Sequence, residues 1–176
     1  KGKRVAVSGS GNVANYTAKK LLELGAKVVS MSDSNGCIIA PDGLTEDQFE
    51  FIFDLKTYQA GRLSEVPEQY PDIQYYSGQR PWKLVQCDIA MPSATQNELD
   101  ESDAEALLAG GCFAVSEGAN MPSTPGAVHK FIEARILYAP GKAANAGGVA
   151  TSGLEMAQNS QKLSWTAEEV DAKLKG

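Results

Sequence analysis

The stretch that decides the fold lies near the start of the chain, where Arg4-Val-Ala-Val-Ser8 is followed at once by Gly9-Ser-Gly11-Asn-Val-Ala14. The first five residues form a short, β-branched apolar run, which is typical of a buried strand. The second run has the spacing G-x-G-x-x-A, and a helical pattern continues from it as far as Leu24. A strand, a glycine turn and a helix in this order predict a phosphate-binding turn.

Each small residue of this turn has a physical role in binding a dinucleotide. Gly9 permits the tight turn, Gly11 lets a pyrophosphate approach the backbone, and Ala14 lets the helix pack closely on the strand. Asn12 is expected to cap the helix, whose free N–H groups would face the phosphates. A glycine turn without any ligand is the alternative, and the position of the motif between strand and helix favours the cofactor. The same helix is expected to direct Val13 and Tyr16 inward together with Ala18.

The residues that follow the second predicted strand bear on the choice of cofactor. Asp33 comes 22 residues after Gly11, where an acid commonly holds the ribose 2′-OH of NAD. Ser34 follows directly, and Lys56 and Arg62 lie downstream, so donors for the 2′-phosphate of NADP are also present. A solvated helix face and loop is the alternative interpretation of the two basic residues.

Outward from this unit, short apolar runs alternate with helical patterns along the whole chain. The predicted strands are Arg4–Ser8, Lys27–Ser32, Ile73–Tyr76, Asp88–Met91, Phe113–Ser116 and Ile136–Ala139, with Cys37–Ile39 as a small extra strand. Thr45 is expected to cap a helix that runs to about Tyr58, and Thr124 to cap another with Pro125 at its first position. Further helices are expected from a capping box at Ser102–Glu105 and from about Val149, after Gly147-Gly148, to Asn159. This alternation predicts an α/β fold, a Rossmann-like, doubly wound and mostly parallel sheet with helices on both faces. Residues 1–176 are expected to form a single dinucleotide-binding domain.

Composition excludes several other classes of protein. The 176 residues carry a net charge of −6, which argues against a nucleic-acid binder. No apolar run is long enough for a membrane span. Three widely spaced cysteines and a single histidine fit neither a disulfide framework nor a metal site, so no metal is expected. The cysteine usage is typical of a reducing compartment, and a cytoplasmic location is expected.

Four later motifs are more specific than the glycine turn. They are Pro92-Ser-Ala-Thr-Gln-Asn97, Glu117-Gly-Ala-Asn-Met-Pro122, Pro140-Gly-Lys-Ala-Ala-Asn-Ala-Gly-Gly-Val149 and Thr151-Ser-Gly-Leu-Glu-Met-Ala-Gln-Asn159. Together they resemble the hexameric glutamate dehydrogenases, above all the NADP-dependent members, and the resemblance runs along nearly the whole chain. It implies a coenzyme domain that works with L-glutamate, 2-oxoglutarate and ammonia and uses NADP(H), with NAD(H) as a second cofactor. The family's catalytic lysine and aspartate lie in an N-terminal substrate domain, which is expected to precede Lys1, so this chain is expected to hold no catalytic residue.

The resemblance also implies roles for individual residues. The expected cofactor contacts are Gly9, Ser10, Gly11, Asn12, Val13, Asp33, Ser34, Lys56, Arg62, Ala94, Thr95, Gln96, Ala119, Asn120 and Asn145. Within this set, Asn145 matches the asparagine at the nicotinamide carboxamide, and the residues from Ala94 to Asn120 match segments that line the nicotinamide ribose. Val149 and Ser152 match positions that contact the glutamate side chain. Loop capping is the alternative for the Thr, Gln and Asn residues of these segments.

Two other functions stay open at this point. A leucine, valine or phenylalanine dehydrogenase would have a related coenzyme domain, although Ser152 favours a polar substrate side chain. A non-catalytic dinucleotide-binding module is the alternative from a different class. The resemblance implies a homohexamer for the parent enzyme, built chiefly through its first domain, and a monomer for this chain alone.

Overall fold

A computed structural model describes residues 1–175, and within them the chain folds into seven strands and eight α-helices. The strands are β1 (Arg4–Val7), β2 (Lys27–Asp33), β3 (Gly36–Ile39), β4 (Gln74–Ser77), β5 (Ile89–Met91), β6 (Ala114–Ser116) and β7 (Leu137–Ala139). The helices are α1 (Asn12–Glu23), α2 (Glu46–Thr57), α3 (Val66–Gln69), α4 (Glu101–Ala109), α5 (Pro125–Glu133), α6 (Gly141–Ala144), α7 (Ala146–Ser160) and α8 (Ala167–Lys175).

All seven strands belong to one sheet in the order β4-β3-β2-β1-β5-β6-β7. Strands β2, β1, β5, β6 and β7 run parallel, whereas β3 and β4 add an antiparallel edge beside β2. The chain passes from β1 to β2 on one side and later returns to β5 on the other, so the strand order reverses at β1. Ligands of such sheets bind beyond the carboxyl ends of the strands at this reversal. The predicted doubly wound α/β fold is confirmed.

Alternate side chains of the central strands enter two separate cores. Val5 and Val7 pack with α1 and α2 on one face, and Ala6 packs with α4 and α5 on the other. A strand buried on both faces needs apolar residues at every buried position, which is why Val5–Val7 is a continuous apolar run rather than an alternating one. Helices therefore cover both faces of the sheet, as the sequence predicts.

The helix caps agree with the sequence in some places and differ in others. Thr45 forms a full capping box with Gln48 at the start of α2, and Thr124 caps α5 ahead of Pro125. The expectation for α4 was wrong, because the cap is Asp100, whose carboxylate accepts a bond from the Asp103 N–H at 3.0 Å. Asp100 is fixed by its neighbour Leu99, which pairs with Ser123 on the adjacent loop.

Helices α1 and α7 also begin differently from expectation. Gly11, not Asn12, is the residue that caps α1, and its cap makes no side-chain hydrogen bond. Val13 and Tyr16 are 47% and 61% exposed rather than inward, because the face of α1 that meets the sheet is centred on Ala14 and Ala18. Helix α7 begins at Ala146, so Gly147 and Gly148 lie in its first turn instead of preceding it.

The remaining features concern composition. Cys37, Cys87 and Cys112 are free and buried, as expected for small apolar residues, and burial raises the pKa of the Cys37 thiol to about 11. In the part of the chain that the structure describes, no helix is long and apolar enough to cross a membrane. Within residues 1–175, no cluster of His, Cys, Asp and Glu side chains has the size of a metal site.

Candidate functional site

The glycine turn opens a cleft at the carboxyl ends of β1 and β2. Gly9 has a φ of +87°, and a Cβ there would lie 2.8 Å from the backbone oxygen of Ser93. Gly11 has an ordinary extended conformation, and a Cβ there would meet no atom of the described chain within 4 Å. The two glycines therefore differ in role: Gly9 makes the turn, and Gly11 keeps open the space through which a ligand approaches the start of α1.

The cleft has a volume of about 800 Å³, which is within the usual range for a pocket that binds a cofactor or another small molecule. It brings together most of the predicted cofactor residues: Gly9, Ser10, Gly11, Asn12, Val13, Asp33, Ser34, Lys56, Arg62, Ala94 and Thr95. Four predicted residues are not part of its lining: Gln96 on the loop after β5, Ala119 and Asn120 on the loop after β6, and Asn145 between α6 and α7. The lining also includes Gly78, Gln79, Arg80 and Glu98, which the sequence did not single out.

Asp33 uses its carboxylate inside the protein. One oxygen accepts the Asn35 N–H at 2.9 Å and the other accepts the Leu63 N–H at 3.1 Å, with the Lys56 ammonium 3.6 Å away. The side chain is only 5% exposed. The acid thus shapes the turn after β2, and the lysine offsets its charge.

Ser34 and Arg62 lie beside this buried pair and face the cleft. The Arg62 guanidinium donates to the Ser34 hydroxyl at 3.0 Å, and both residues are exposed. The Arg62 backbone is fixed, since its N–H donates to Glu65 at 2.6 Å. A guanidinium and a hydroxyl held together on an open surface offer several donors to one phosphate group. The arrangement is suited to a 2′-phosphate.

The loop after β5, the loop after β6 and helix α6 after β7 contact one another. The N–H groups of Gly118 and Ala119 both donate to the Pro92 carbonyl at 3.0 Å. The side chain of Asn145, which caps the end of α6, donates to the Ala119 carbonyl at 3.3 Å and so connects α6 to the loop after β6. A Cβ at Gly141 would lie 2.7 Å from the same carbonyl, so the loops approach closely. The predicted nicotinamide-side residues therefore share one connected surface.

The side chains expected to meet the nicotinamide ribose are not used to cap these loops. Thr95, Gln96 and Asn120 are exposed, and within the described residues their side chains make no hydrogen bond. Loop capping was the alternative interpretation of these residues, and the geometry does not support it. A different residue holds the loop: the buried Glu98 accepts the Ala94 N–H at 2.9 Å.

Two buried carboxylates, which the sequence did not single out as site residues, hold the segments around the cleft in place. Burial raises the pKa of Glu98, against the opposing effect of the Ala94 N–H and the Ser8 hydroxyl. Glu117, at the end of β6, accepts the Gly141 N–H at 2.7 Å and the Tyr138 hydroxyl at 3.0 Å. Burial, with the Glu117 contact, raises the pKa of Tyr138. Glu117 has a signal in the sequence, because it comes directly after the predicted strand Phe113–Ser116, whereas Glu98 lies seven residues beyond Met91 and has none.

The two predicted substrate residues lie apart from the cleft. Val149 is 73% exposed, and Ser152 is exposed on the same helix, α7. Their spacing of three residues places both on one helical face, as expected. Their role in binding substrate stays a prediction.

Fold and cleft together define a Rossmann-like α/β protein whose cleft is lined by a glycine turn and by the basic side chains of Lys56 and Arg62. Residues 1–176 match the family described as Glutamate/Leucine/Phenylalanine/Valine dehydrogenase, and the chain belongs to that family.

Within this family, the chain is similar to curated glutamate dehydrogenases. The chain is 61% identical over 175 residues to a glutamate dehydrogenase of Bacteroides thetaiotaomicron, covering 99% of this chain and 39% of that protein. It is 59% identical to the NAD(P)-specific glutamate dehydrogenase of Xylanibacter ruminicola and 57% identical to the NADP-specific enzyme of Haemophilus influenzae, covering 98% of this chain and 38% of each relative. The chain thus spans about two fifths of the length of these relatives.

Solved structures agree with this result. The glutamate dehydrogenase of Plasmodium falciparum superposes with a TM-score of 0.91 at 49% identity, over 98% of this chain and 37% of that one. A tryptophan dehydrogenase of Nostoc punctiforme, at 19% identity and a TM-score of 0.60, shares the fold alone.

Proposed function

We propose that this chain is the coenzyme-binding domain of a glutamate dehydrogenase that uses NADP(H). The enzyme would interconvert L-glutamate and 2-oxoglutarate plus ammonia. Support comes from relatives of this name at 57% to 61% identity, two of them named for NADP or NAD(P). The observation that most supports NADP(H) as the cofactor is the exposed pair of Ser34 and Arg62, hydrogen-bonded at 3.0 Å. The pair lies beside Asp33, whose charge Lys56 offsets.

The residues of the cleft fit such a cofactor along its length. The open space at Gly11 and the first N–H groups of α1 would receive the pyrophosphate. Ser34 and Arg62 would bind the 2′-phosphate, and Lys56 would reduce the repulsion between that phosphate and Asp33. Ala94 and Thr95 would contact the nicotinamide ribose, and Asn145 the carboxamide, whose amide needs both a donor and an acceptor. When bound, NADP(H) supplies or accepts the hydride that is exchanged with the α-carbon of the amino acid.

The substrate and the assembly belong to the same proposal. Val149 and Ser152 would contact the glutamate side chain from α7, and the catalytic lysine and aspartate would be provided by an N-terminal substrate domain of a homohexameric parent. This chain would bind and orient the cofactor, and by itself it would leave the substrate unpositioned and exposed to water.

Calorimetry with the 176-residue chain tests the proposal. We expect NADPH to bind at least tenfold more tightly than NADH, since charge-assisted hydrogen bonds contribute about 1.5–3 kcal/mol each. We also expect no oxidation of glutamate by the pure chain. Equal affinities for NADPH and NADH would contradict the proposed preference for NADP(H). Activity above background would contradict the proposal that the catalytic residues lie on another domain.

A further inference from the structure

We propose that Glu98 is a positioning residue that holds the nicotinamide-side loop, residues 93–96, against the end of β1. The inference rests on the proposed function, because it concerns how that site receives a dinucleotide. Its basis is a chain of hydrogen bonds between two segments that are more than eighty residues apart in sequence.

The bonds converge on one carboxylate oxygen. Oε1 of Glu98 accepts the Ser8 hydroxyl at 2.8 Å and the Ala94 N–H at 2.9 Å. The Ser8 oxygen in turn accepts the Ser93 N–H at 2.9 Å. Ser8 is fully buried and Glu98 is 7% exposed, so water competes little for these bonds. Two successive N–H groups of the loop are thereby fixed to the strand that carries the glycine turn.

The glycine turn has a separate attachment that does not involve Glu98. The Gly9 N–H donates to the Ser32 hydroxyl at 2.7 Å, and the Ser32 N–H donates to the Gly9 carbonyl at 3.2 Å. The phosphate end of the site is therefore held by β2, whereas the nicotinamide end is held by Glu98. Loss of the Glu98 carboxylate would therefore release the loop of residues 93–96 and leave the glycine turn attached to β2.

The backbone at Glu98 is itself fixed, which makes the carboxylate a rigid anchor. Its carbonyl accepts a hydrogen bond from the Arg80 guanidinium, which also lies 3.6 Å from the Asp103 carboxylate. The next residue, Leu99, is fully buried and exchanges backbone bonds with the loop after β6. The anchor thus stays in place while the loop in front of it depends on the side chain.

Two ligands separate the two ends of the site. NADPH reaches both, whereas adenosine 2′,5′-bisphosphate has the 2′-phosphate and one 5′-phosphate but no nicotinamide half. With the full 176-residue chain and calorimetry, we expect Glu98→Ala to weaken NADPH at least tenfold and to leave the bisphosphate within threefold of the unchanged chain.

The conservative variant distinguishes hydrogen bonding from bulk and also provides a second test should Glu98→Ala not fold. The amide oxygen of Glu98→Gln can accept the same two bonds, while its NH₂ group replaces the second carboxylate oxygen, which makes neither of them. We expect Glu98→Gln to bind NADPH at least threefold more tightly than Glu98→Ala.

Leu107→Ala is the matched control, because this α4 residue is buried in the core and contributes nothing to the loop. It should leave the ratio of the two affinities unchanged although it lowers stability. Equal weakening of both ligands by Glu98→Ala, or of neither, would overturn the inference alone. An unchanged chain that binds neither ligand would instead overturn the proposed function, and this inference with it.

Discussion

At the scale of single residues, Asp33 shows why a position rule can misdirect. An acid at the end of β2 predicts NAD, yet both carboxylate oxygens accept N–H groups of the protein, from Asn35 and Leu63. The presence of Asp33, Ser34 and Arg62 could be read from the sequence. The sequence could not show which of these side chains is free to meet a ligand. The Leu63 N–H that occupies the Asp33 carboxylate comes beside it only in the folded chain.

Arg62→Ala is the direct test of cofactor selection. We expect NADPH affinity to fall by tenfold or more, about 1.5–3 kcal/mol, because a charge-assisted contact to the 2′-phosphate is lost. NADH, which lacks that phosphate, should bind as before. Calorimetry measures both affinities, with Lys130→Ala, a partly exposed position of α5 that does not line the cleft, as the control. If Arg62→Ala weakened the two cofactors alike, Arg62 would contact something other than the 2′-phosphate.

Glu98 also predicts a pH dependence whose sign follows from burial. Because burial raises its pKa above the ordinary 4.5, the folded chain keeps this proton to higher pH than the unfolded chain does. The contribution of Glu98 to stability is therefore full below pH 4.5 and is lost as the pH rises through the folded-state pKa. The nearby Arg80 guanidinium opposes the shift without cancelling it.

Glu98→Gln removes this titration and isolates its effect. Carboxylates with lowered pKa values, such as Asp88 and Asp100, have the opposite dependence but are present in both chains. We expect the unfolding free energy of the unchanged chain to fall relative to that of the variant as the pH rises from 4 to 7. Urea titrations at several pH values measure it, and a constant difference would contradict the burial argument.

At the scale of elements, helix starts were predictable where one side chain can reach the N3 N–H and ambiguous where two can. Thr45 stands alone before α2, and Pro125 at the first helical position favours Thr124 over Ser123 as the cap of α5. The structure confirms both caps. Before α4, Asp100 and Ser102 are both suitable cap residues, and the sequence favoured the latter. The pairing of Leu99 with Ser123 decides in favour of Asp100, and that contact spans 24 residues.

The cap of α4 is testable with a matched pair of variants. Asp100→Ala should lower the unfolding free energy by about 0.5–2 kcal/mol, the usual cost of losing an N-cap. Ser102→Ala should cost clearly less, since its hydroxyl only bonds Asp100 and Lys83 at the surface. Denaturant unfolding measures both, and the reverse order would restore Ser102 as the cap.

The glycine turn offers a second matched pair. Gly9→Ala should lower the unfolding free energy by about 1–3 kcal/mol, because a residue at φ +87° would be strained and its Cβ would meet Ser93. Gly11→Ala should leave stability within about 0.5 kcal/mol, because its Cβ enters open space. That same Cβ should weaken NADPH at least tenfold. Unchanged NADPH binding by Gly11→Ala would mean that no phosphate approaches Gly11.

At the scale of the whole molecule, the parallel half of the sheet was predictable and the antiparallel edge was not. The alternation of strands and helices predicts the parallel topology. At the antiparallel edge, β3 pairs with β2 across a turn and β4 pairs with β3 from much later in the chain, and no local pattern gives the register of these pairs. The same limit applies to the cleft. Its glycine turn is local, but Arg80 reaches it only because β4 lies beside β3.

The exposed apolar side chains of the C-terminal helices bear on whether the chain associates with itself. In the part of the chain that the structure describes, α7 and α8 have no buried residue, and Met156 on α7 is 73% exposed. Leu163, just after α7, adds a second exposed apolar side chain. Exposed apolar surface favours association, while a net charge of −6 opposes it, most strongly at low salt.

We therefore expect the 176-residue chain to be a monomer at low ionic strength and at most a weak dimer as salt screens its charge, because the proposed hexamer is built chiefly through the other domain. Light scattering at several protein and salt concentrations measures this. Met156→Lys with Leu163→Lys should abolish any salt-dependent dimer, whereas Ile132→Lys, an equally exposed apolar position on α5, should not. A stable hexamer at low salt would place the assembly surface on this domain, and the polar double variant would then show whether α7 forms it.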